Sequence, residues 1–181
     1  MKHIQLFIIG LFCFAGALNA QSFYSEDGKV RFLSKVQLHA FEGTSQNLVG
    51  LINLDESIID FYLDLTTLNT GNGKRDKGMN LSLETSEFPI AEFYGTLTTQ
   101  FDVENTEPQV AVAKGDFKIH GVSKEVEIEG TLQLTDAGLI LKAAWVLKLS
   151  DYEIVPPRLL LLKVDENQKI SLETLLRASE V

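Results

Sequence analysis

The chain has little of what most catalytic and metal sites need. It contains one cysteine, Cys13, and three histidines among 181 residues. Because Cys13 lies in the N-terminal leader described below, the rest of the sequence offers neither a disulfide nor a thiol nucleophile. A fold built from residues 21–181 must therefore be stabilised by its core alone, and a chain of that length can form one domain that does so.

Positive charge is also scarce. The sequence has 16 Lys and Arg residues against 25 Asp and Glu residues, which gives a formal net charge of −9. Such acidity argues against nucleic acid as a partner and against electrostatic binding to anionic lipid headgroups. It does not oppose a lipid held inside the protein. No internal repeat, low-complexity tract or linker divides the chain, so we expect one domain after the leader.

The first 20 residues have the form of a secretory signal peptide. Lys2 precedes an apolar run from Leu6 to Leu18, which is shorter than the roughly 20 residues that a membrane-spanning helix needs. We expect cleavage after Ala20, with Ala17 as the alternative, and a periplasmic or secreted domain over residues 21–181 without an integral membrane span. Cys13 lacks the small preceding residues of a lipoprotein site, so we expect no lipid anchor.

Alternation of apolar and polar residues predicts eight antiparallel strands. The first is expected at Lys29–Ala40, followed by a turn at Phe41–Thr44. The other strands are expected at residues 47–54, 58–68, 92–103, 110–120, 124–135, 139–150 and 168–177. The polar excursion over residues 69–87 is expected to hold one or two short helical turns, with Asp76–Leu83 favoured. Eight such strands with short turns are typical of a sandwich or an up-and-down barrel.

The inward faces of these strands mix large and small side chains. The large ones are Phe32, Phe61, Phe93, Phe117 and Trp145, and the small ones are Ser34, Ala40, Gly95, Gly115, Gly130 and Ala143. Small residues in strands mark the close approach of a ligand or of another backbone, or else a bend at a barrel corner. An eight-stranded barrel holds one small ligand or is filled by side chains. Both interpretations of the interior stay open at this point.

Candidate catalytic and metal-binding groups are few. His39 lies on the polar face of the first strand and His120 lies in a hairpin, and two isolated histidines do not form a metal site. Acids such as Glu84 and Glu87 suit a glycosidase-type pair, whereas the acids of Glu125–Glu129 alternate with Val and Ile as one exposed strand face. We therefore predict no catalytic residue and no metal, and keep an exported hydrolase with a carboxylate pair as an alternative.

The run Lys74-Arg75-Asp76-Lys77 concentrates positive charge on an acidic protein. Arg75 and its neighbouring lysines could bind a phosphate or another polar headgroup. The alternative is a solvated loop in which Arg75 or Lys74 forms a salt bridge with Asp76 or Glu84.

Several short motifs, taken together and in order, resemble the YceI-like family. They are Phe41-Glu42-Gly43-Thr44, the segment from Asp64 to Gly71 with Arg75-Asp76-Lys77, the segment from Glu87 to Phe93, the hairpin from Gly115 to Lys124, and Ser150-Asp151-Tyr152. The resemblance spans nearly the whole chain after the leader. It implies an all-β, lipocalin-like antiparallel barrel, exported to the bacterial periplasm, that binds a polyisoprenoid or another long amphiphile and has no established catalytic centre.

The resemblance also implies a set of ligand-binding residues. The predicted tunnel-lining residues are Phe32, Phe61, Leu63, Phe88, Phe93, Phe117, Trp145 and Tyr152. To these the positive charge run adds Arg75 and Lys77 as headgroup contacts. No cofactor is expected other than the bound lipid, such as an isoprenoid quinone or a polyprenyl chain. The sequence departs from the family pattern at Glu153, where Gly is common, and in the apolar connection after Pro156, which puts the shape of the mouth in question.

Three functions remain for comparison with the structure. The first is an exported carrier for an isoprenoid-type lipid, and the second is the hydrolase with a carboxylate pair. The third is a packed β module with a structural or interaction role. A homodimer is compatible with each of them, and nothing in the sequence requires it.

Overall fold

The computed structural model of the protein describes residues 21–36, 39–156, 158–159 and 162–179, so the predicted leader lies outside the described residues. The strands are β1 (Ser22–Val36), β2 (His39–Asn53), β3 (Ile58–Asp64), β4 (Ile90–Leu97), β5 (Gln109–Ile119), β6 (Val122–Thr135), β7 (Gly138–Lys148), β8 (Arg158–Leu159), β9 (Leu162–Lys163) and β10 (Asn167–Ser179). One α-helix, α1 (Gly73–Ser82), and two 3-10 helices, Leu65–Thr67 and Leu149–Tyr152, complete the described structure.

Eight of the strands form a closed antiparallel barrel in the order β1-β10-β7-β6-β5-β4-β3-β2. Sequence neighbours pair along a meander, and β10 closes the ring by pairing with both β7 and β1. Strands β8 and β9 pair as a separate two-stranded sheet within the connection from β7 to β10. Closure leaves no unpaired edge in the barrel. The predicted eight-stranded, lipocalin-like antiparallel barrel is confirmed.

The predicted boundary between the first two strands is wrong. Val36 pairs with His39, so the chain reverses there and Phe41–Thr44 belong to β2. The sequence predicts Gly43 in a turn, whereas it lies in β2 opposite Phe32. A Cβ atom at Gly43 would lie well under 3.0 Å from the Phe32 ring. Its function is therefore to make room for an aromatic ring within a sheet. Ala40, which was expected on the inner face, is exposed.

The polar excursion after β3 is ordered by side-chain caps. Asp64 ends the strand because its carboxylate accepts a hydrogen bond from the Thr66 backbone amide, which starts the first 3-10 helix. Asn72 then caps α1 by accepting from the amides of Lys74 and Arg75, each at 3.1 Å. The expected helical turns are thus present, and α1 begins three residues before the favoured range.

The two ends of the barrel differ. At one end lie the β1–β2 reversal, the excursion with α1, the β5–β6 turn and the long β7–β10 connection; we call this end the mouth. At the other end Ile52, Leu139 and Leu176 are almost completely buried. These large apolar side chains fill the base of the barrel among the described residues, so we look for access to the interior at the mouth.

Candidate ligand-binding cavity

A cavity of about 230 Å³ extends from the core of the barrel to the mouth. One buried water needs at least about 10–15 Å³, so the cavity is much larger than a site for a single water. Leu132, which has no exposed surface, lies at its inner end. Arg75, Ser82 and Pro156 line the outer end and are partly exposed. The cavity therefore meets solvent at the mouth.

The lining is almost wholly apolar, with aromatic and aliphatic side chains from every strand of the barrel. The polar exceptions are Ser34, Tyr62, Arg75, Ser82, Glu92 and Gln168. A cavity with this lining favours a hydrocarbon chain, because each buried methylene group contributes about 0.8 kcal/mol. The interior of the barrel is thus hollow rather than packed.

Most of the residues predicted to line a tunnel do line this cavity. They are Phe32, Phe61, Leu63, Phe93, Phe117 and Trp145. Phe93 and Phe117 are direct partners in the β4–β5 ladder, and the Phe117 ring meets the Trp145 indole edge to face with centroids 6.1 Å apart. Trp145 is the single tryptophan of the chain, so its fluorescence reports directly on what enters the cavity.

Phe88 and Tyr152 lie outside the lining, contrary to expectation. Phe88 packs edge to face on His120, with ring centroids 5.4 Å apart. Tyr152 is buried, and its ring centroid lies 5.6 Å from that of Phe117. Tyr152 therefore packs against a residue of the lining without lining the cavity itself. Burial raises the pKa of the Tyr152 phenol, and the Asp151 carboxylate adds to the shift, which keeps the side chain neutral in this aromatic group.

Two glycines, Gly50 and Gly43, lie under aromatic rings of the cavity wall, and the sequence alone does not predict this role for either of them. Phe61 pairs with Gly50 across β2 and β3, and a Cβ atom at Gly50 would lie well under 3.0 Å from the Phe61 ring. Gly43 receives Phe32 in the same way across β1 and β2. Each ring lies over a glycine at the cavity wall, and only the strand register identifies these pairs.

Arg75 and Lys77 have different positions on α1. The Arg75 guanidinium carbon lies 4.4 Å from the centroid of the Phe41 ring, and both residues line the cavity. Lys77 is exposed and is not part of the lining. Over the described ranges, Lys74, Arg75 and Lys77 form no ion pair, so the alternative of a salt bridge from Arg75 or Lys74 to Asp76 or Glu84 is not observed. Asp76 instead accepts hydrogen bonds from the amide and hydroxyl of Thr70.

Ser34 is a polar group without a partner in an apolar wall. It is 1% exposed, it lines the cavity, and its hydroxyl forms no hydrogen bond with any described residue. An unpartnered buried hydroxyl costs about 1–3 kcal/mol. By contrast, the side-chain amide of Gln168, which also lines the cavity, donates to the Asp165 carbonyl at 2.6 Å. Ser34 was predicted only as a small inward residue, and its unpaired state follows from the three-dimensional surroundings.

Neither the histidines nor the candidate acid pair belongs to the cavity lining. His120 has a left-handed backbone (φ 55°), and its Nδ1 is 3.1 Å from the Tyr152 carbonyl oxygen. Its Nε2 is 3.3 Å from a Glu84 carboxylate oxygen, although not in hydrogen-bond geometry. Neither Glu84 nor Glu87 lines the cavity. The structure therefore does not place this acid pair beside a binding site.

In the part of the chain that the structure describes, no cluster of three or more His, Cys, Asp or Glu side chains has the arrangement to hold a metal ion. No helix in these ranges combines the length and the hydrophobicity needed to cross a membrane.

Comparisons with known proteins agree with this geometry. The family model of the YceI-like domain matches residues 22–176 of the chain. A polyisoprenoid-binding domain from Saccharophagus degradans, implicated in plant cell wall breakdown, has a similar structure, with a TM-score of 0.75 and 16% identity over 88% of this chain and 99% of that one. BcnA from Burkholderia cenocepacia gives a TM-score of 0.64 and 13% identity over 84% of this chain and 96% of that one.

A YceI protein from Campylobacter jejuni gives a TM-score of 0.54 and 14% identity over 99% of this chain and 91% of that one. At these identities the likeness of the structures shows the fold alone. No curated protein matches the sequence.

Proposed function

Because the chain belongs to the YceI-like family, we propose that it is an exported, non-catalytic carrier that holds a polyisoprenoid or another long-chain amphiphile inside its barrel. The observation that carries the proposal is the apolar cavity, which is closed at the base and meets solvent at the mouth. The similar domain from Saccharophagus degradans is described as polyisoprenoid-binding, which supports the same class of ligand. The predicted leader supports export to the periplasm.

Burial of the chain would supply most of the affinity. A ligand with 15 to 20 carbons, each contributing about 0.8 kcal/mol, would bind tightly even after the cost of ordering it is subtracted. The aromatic residues Phe61, Phe93 and Trp145 would contact the hydrocarbon, and the polar end would lie toward the mouth. An isoprenoid quinone or a polyprenyl chain fits this description.

Recovery of the natural ligand tests the proposal. Protein purified from its own source is analysed by native mass spectrometry and by organic extraction. We expect an added mass of several hundred daltons that is lost on denaturation and reappears as a lipid in the extract. Repeated recovery of protein at the mass of the bare chain, together with failure to take up added geranylgeraniol, would contradict it.

Arg75 is expected to hold a negatively charged headgroup when the ligand has one. Replacement by alanine should weaken binding of geranylgeranyl diphosphate about five- to tenfold at low ionic strength, because a charge-assisted hydrogen bond is lost. The loss should shrink as salt is added, since the site is partly exposed. Trp145 fluorescence provides the measurement.

Lys77→Ala is the matched control for Arg75→Ala. It removes one positive charge from the same helix, but Lys77 is exposed and does not line the cavity. We expect less than a twofold change. Equal losses in the two variants would indicate a general effect of charge and would exclude a headgroup contact by Arg75.

A further inference from the structure

The hydroxyl of Ser34 is an unused hydrogen-bonding group inside the proposed lipid cavity. Ser34 lies on β1, with its cross-strand partner Phe41 on β2, and both line the cavity. On the side of β10, Leu33 pairs with Lys169, and Gln168, which precedes Lys169, also lines the cavity. Ser34, Phe41 and Gln168 all belong to the mouth half of the barrel. The residue Ser34 is 1% exposed, and its hydroxyl has no hydrogen-bond partner among the described residues.

This arrangement differs from that of Ser25 and Ser45, which are also buried serines. Ser25 bonds to Asp27 and Thr174, and Ser45 bonds to Thr67 at 2.6 Å. Ser25 and Ser45 do not line the cavity. The serine that lines the cavity and is almost fully buried is thus also the one whose hydroxyl is unsatisfied. Because buried polar groups in folded proteins are nearly always hydrogen-bonded, a partner is expected from the contents of the cavity.

We propose that Ser34 binds an uncharged oxygen of the ligand, so that this protein selects an amphiphile with a hydroxyl or carbonyl group rather than a bare hydrocarbon. The inference rests on the proposed lipid-binding function and specifies the chemical class of the ligand. A serine hydroxyl can donate to a carbonyl and can either donate to or accept from an alcohol.

An anionic group is a less suitable partner for the Ser34 hydroxyl than an uncharged oxygen. Burial of a charge in an apolar cavity is unfavourable unless the charge is paired and hydrogen-bonded, and one hydroxyl does not meet that need. Arg75, which lies over the ring of Phe41 at the mouth, is partly exposed and suits a charged group better. The two positions therefore separate two kinds of headgroup, uncharged at Ser34 and anionic at Arg75.

Three C20 isoprenoid probes test the inference with Trp145 fluorescence as the readout. They are geranylgeraniol, the C20 hydrocarbon without its hydroxyl, and geranylgeranyl diphosphate. We expect Ser34→Ala to weaken geranylgeraniol about five- to tenfold, as for one hydrogen bond, and to leave the hydrocarbon unchanged or slightly tighter. Ser34→Thr, which keeps the hydroxyl, should restore the preference for the alcohol. The ratio of the two affinity changes, for geranylgeraniol and for the hydrocarbon, measures the coupling between the Ser34 hydroxyl and the hydroxyl of the ligand.

The control is Ser45→Ala, which removes a buried hydroxyl that already has a protein partner. In the ligand-free protein, Ser45→Ala should lower the melting temperature by about 2–4 °C, whereas Ser34→Ala should leave it unchanged or raise it. Ser45→Ala should not alter the ratio of the alcohol to the hydrocarbon affinities.

The possible failures are distinguishable. If neither geranylgeraniol nor the hydrocarbon binds to the unmodified protein, the proposed lipid-binding function is wrong, and the inference fails with it. If both bind but Ser34→Ala weakens them equally or not at all, lipid binding stands and the role of Ser34 is excluded. If Arg75→Ala instead of Ser34→Ala removes the preference for the alcohol, the uncharged oxygen lies at the mouth and the inference is overturned.

Discussion

Ala143→Phe is expected to leave the barrel folded and to weaken lipid binding about 100-fold. Ala143 lines the cavity on β7, opposite Gly130 on β6 and Leu172 on β10. A phenyl ring there takes space from three to four methylene groups of a ligand. At about 0.8 kcal/mol for each group, the loss is about 3 kcal/mol, which corresponds to roughly two orders of magnitude in Kd.

The protein itself should tolerate this ring, because the ring enters a hollow instead of a packed core. We expect the free energy of unfolding in urea to change by less than about 1.5 kcal/mol, the usual bound for well-accommodated apolar exchanges. Binding is measured by titration with geranylgeraniol. Val146→Phe is the matched control, since it adds a ring to the outer face of the same strand, where Val146 is 57% exposed, and it should not affect binding.

Two results would contradict this account of the cavity. Unchanged affinity in Ala143→Phe would mean that ligand does not occupy the space beside Ala143. A loss of stability of several kcal/mol would mean that this part of the interior is already filled, as the third hypothesis of a packed structural module requires.

The barrel was predictable because its periodicity is local. Alternation over five or more residues identifies a strand from sequence neighbours alone, and it placed Phe61, Leu63 and Trp145 on inward faces correctly. The reversal between β1 and β2 was missed for a related reason. Apolar–polar alternation continues from β1 into β2 in the sequence, and Gly43 resembles a turn residue until its partner Phe32 is known.

The details of the site depended on distant contacts that a single sequence does not reveal. Phe88 and Tyr152 are aromatic and close to inward strands, but His120 and Phe117 hold them outside the lining. Ser34 was recognised as small and inward, whereas its unpaired hydroxyl depends on what β2 and β10 place beside it. The choice between Arg75 and Lys77 depended on which face α1 turns toward Phe41.

The role of the inward glycines could not be predicted from the sequence either. A small inward residue marks the close approach of a ligand, the close approach of another backbone, or a bend in the strand. Gly95 and Gly115 are direct partners across β4 and β5. A Cβ atom at Gly95 would lie 2.7 Å from the Gly115 Cα and closer still to the Lys114 carbonyl oxygen. Neither glycine lines the cavity. At this pair, the small residues therefore serve the close approach of two backbones and not contact with a ligand.

Gly95→Ala is therefore expected to destabilise the protein by about 3 kcal/mol or more, at the upper end of the range for overpacked sites. The obstruction is the backbone of Lys114 and Gly115, so no side-chain rotation relieves it, and the two strands must separate. Urea unfolding with matched baselines measures the effect. Gly78→Ala is the control: it lies within α1, has no atom within 4 Å of its would-be Cβ, and should gain about 0.5–1 kcal/mol from helix propensity.

The consequence of Gly95→Ala for the site follows from the ladder. The Phe93–Phe117 pair lies two residues from the Gly95–Gly115 pair and on the same face of the sheet, so separation of the strands at the glycines would also move two rings of the cavity wall. Any folded fraction of Gly95→Ala should bind geranylgeraniol more weakly than the unmodified protein. If Gly95→Ala remains within 1 kcal/mol of the unmodified protein and binds equally well, the strands do not need this close approach, and the wall at Phe93 and Phe117 is positioned by the rings themselves.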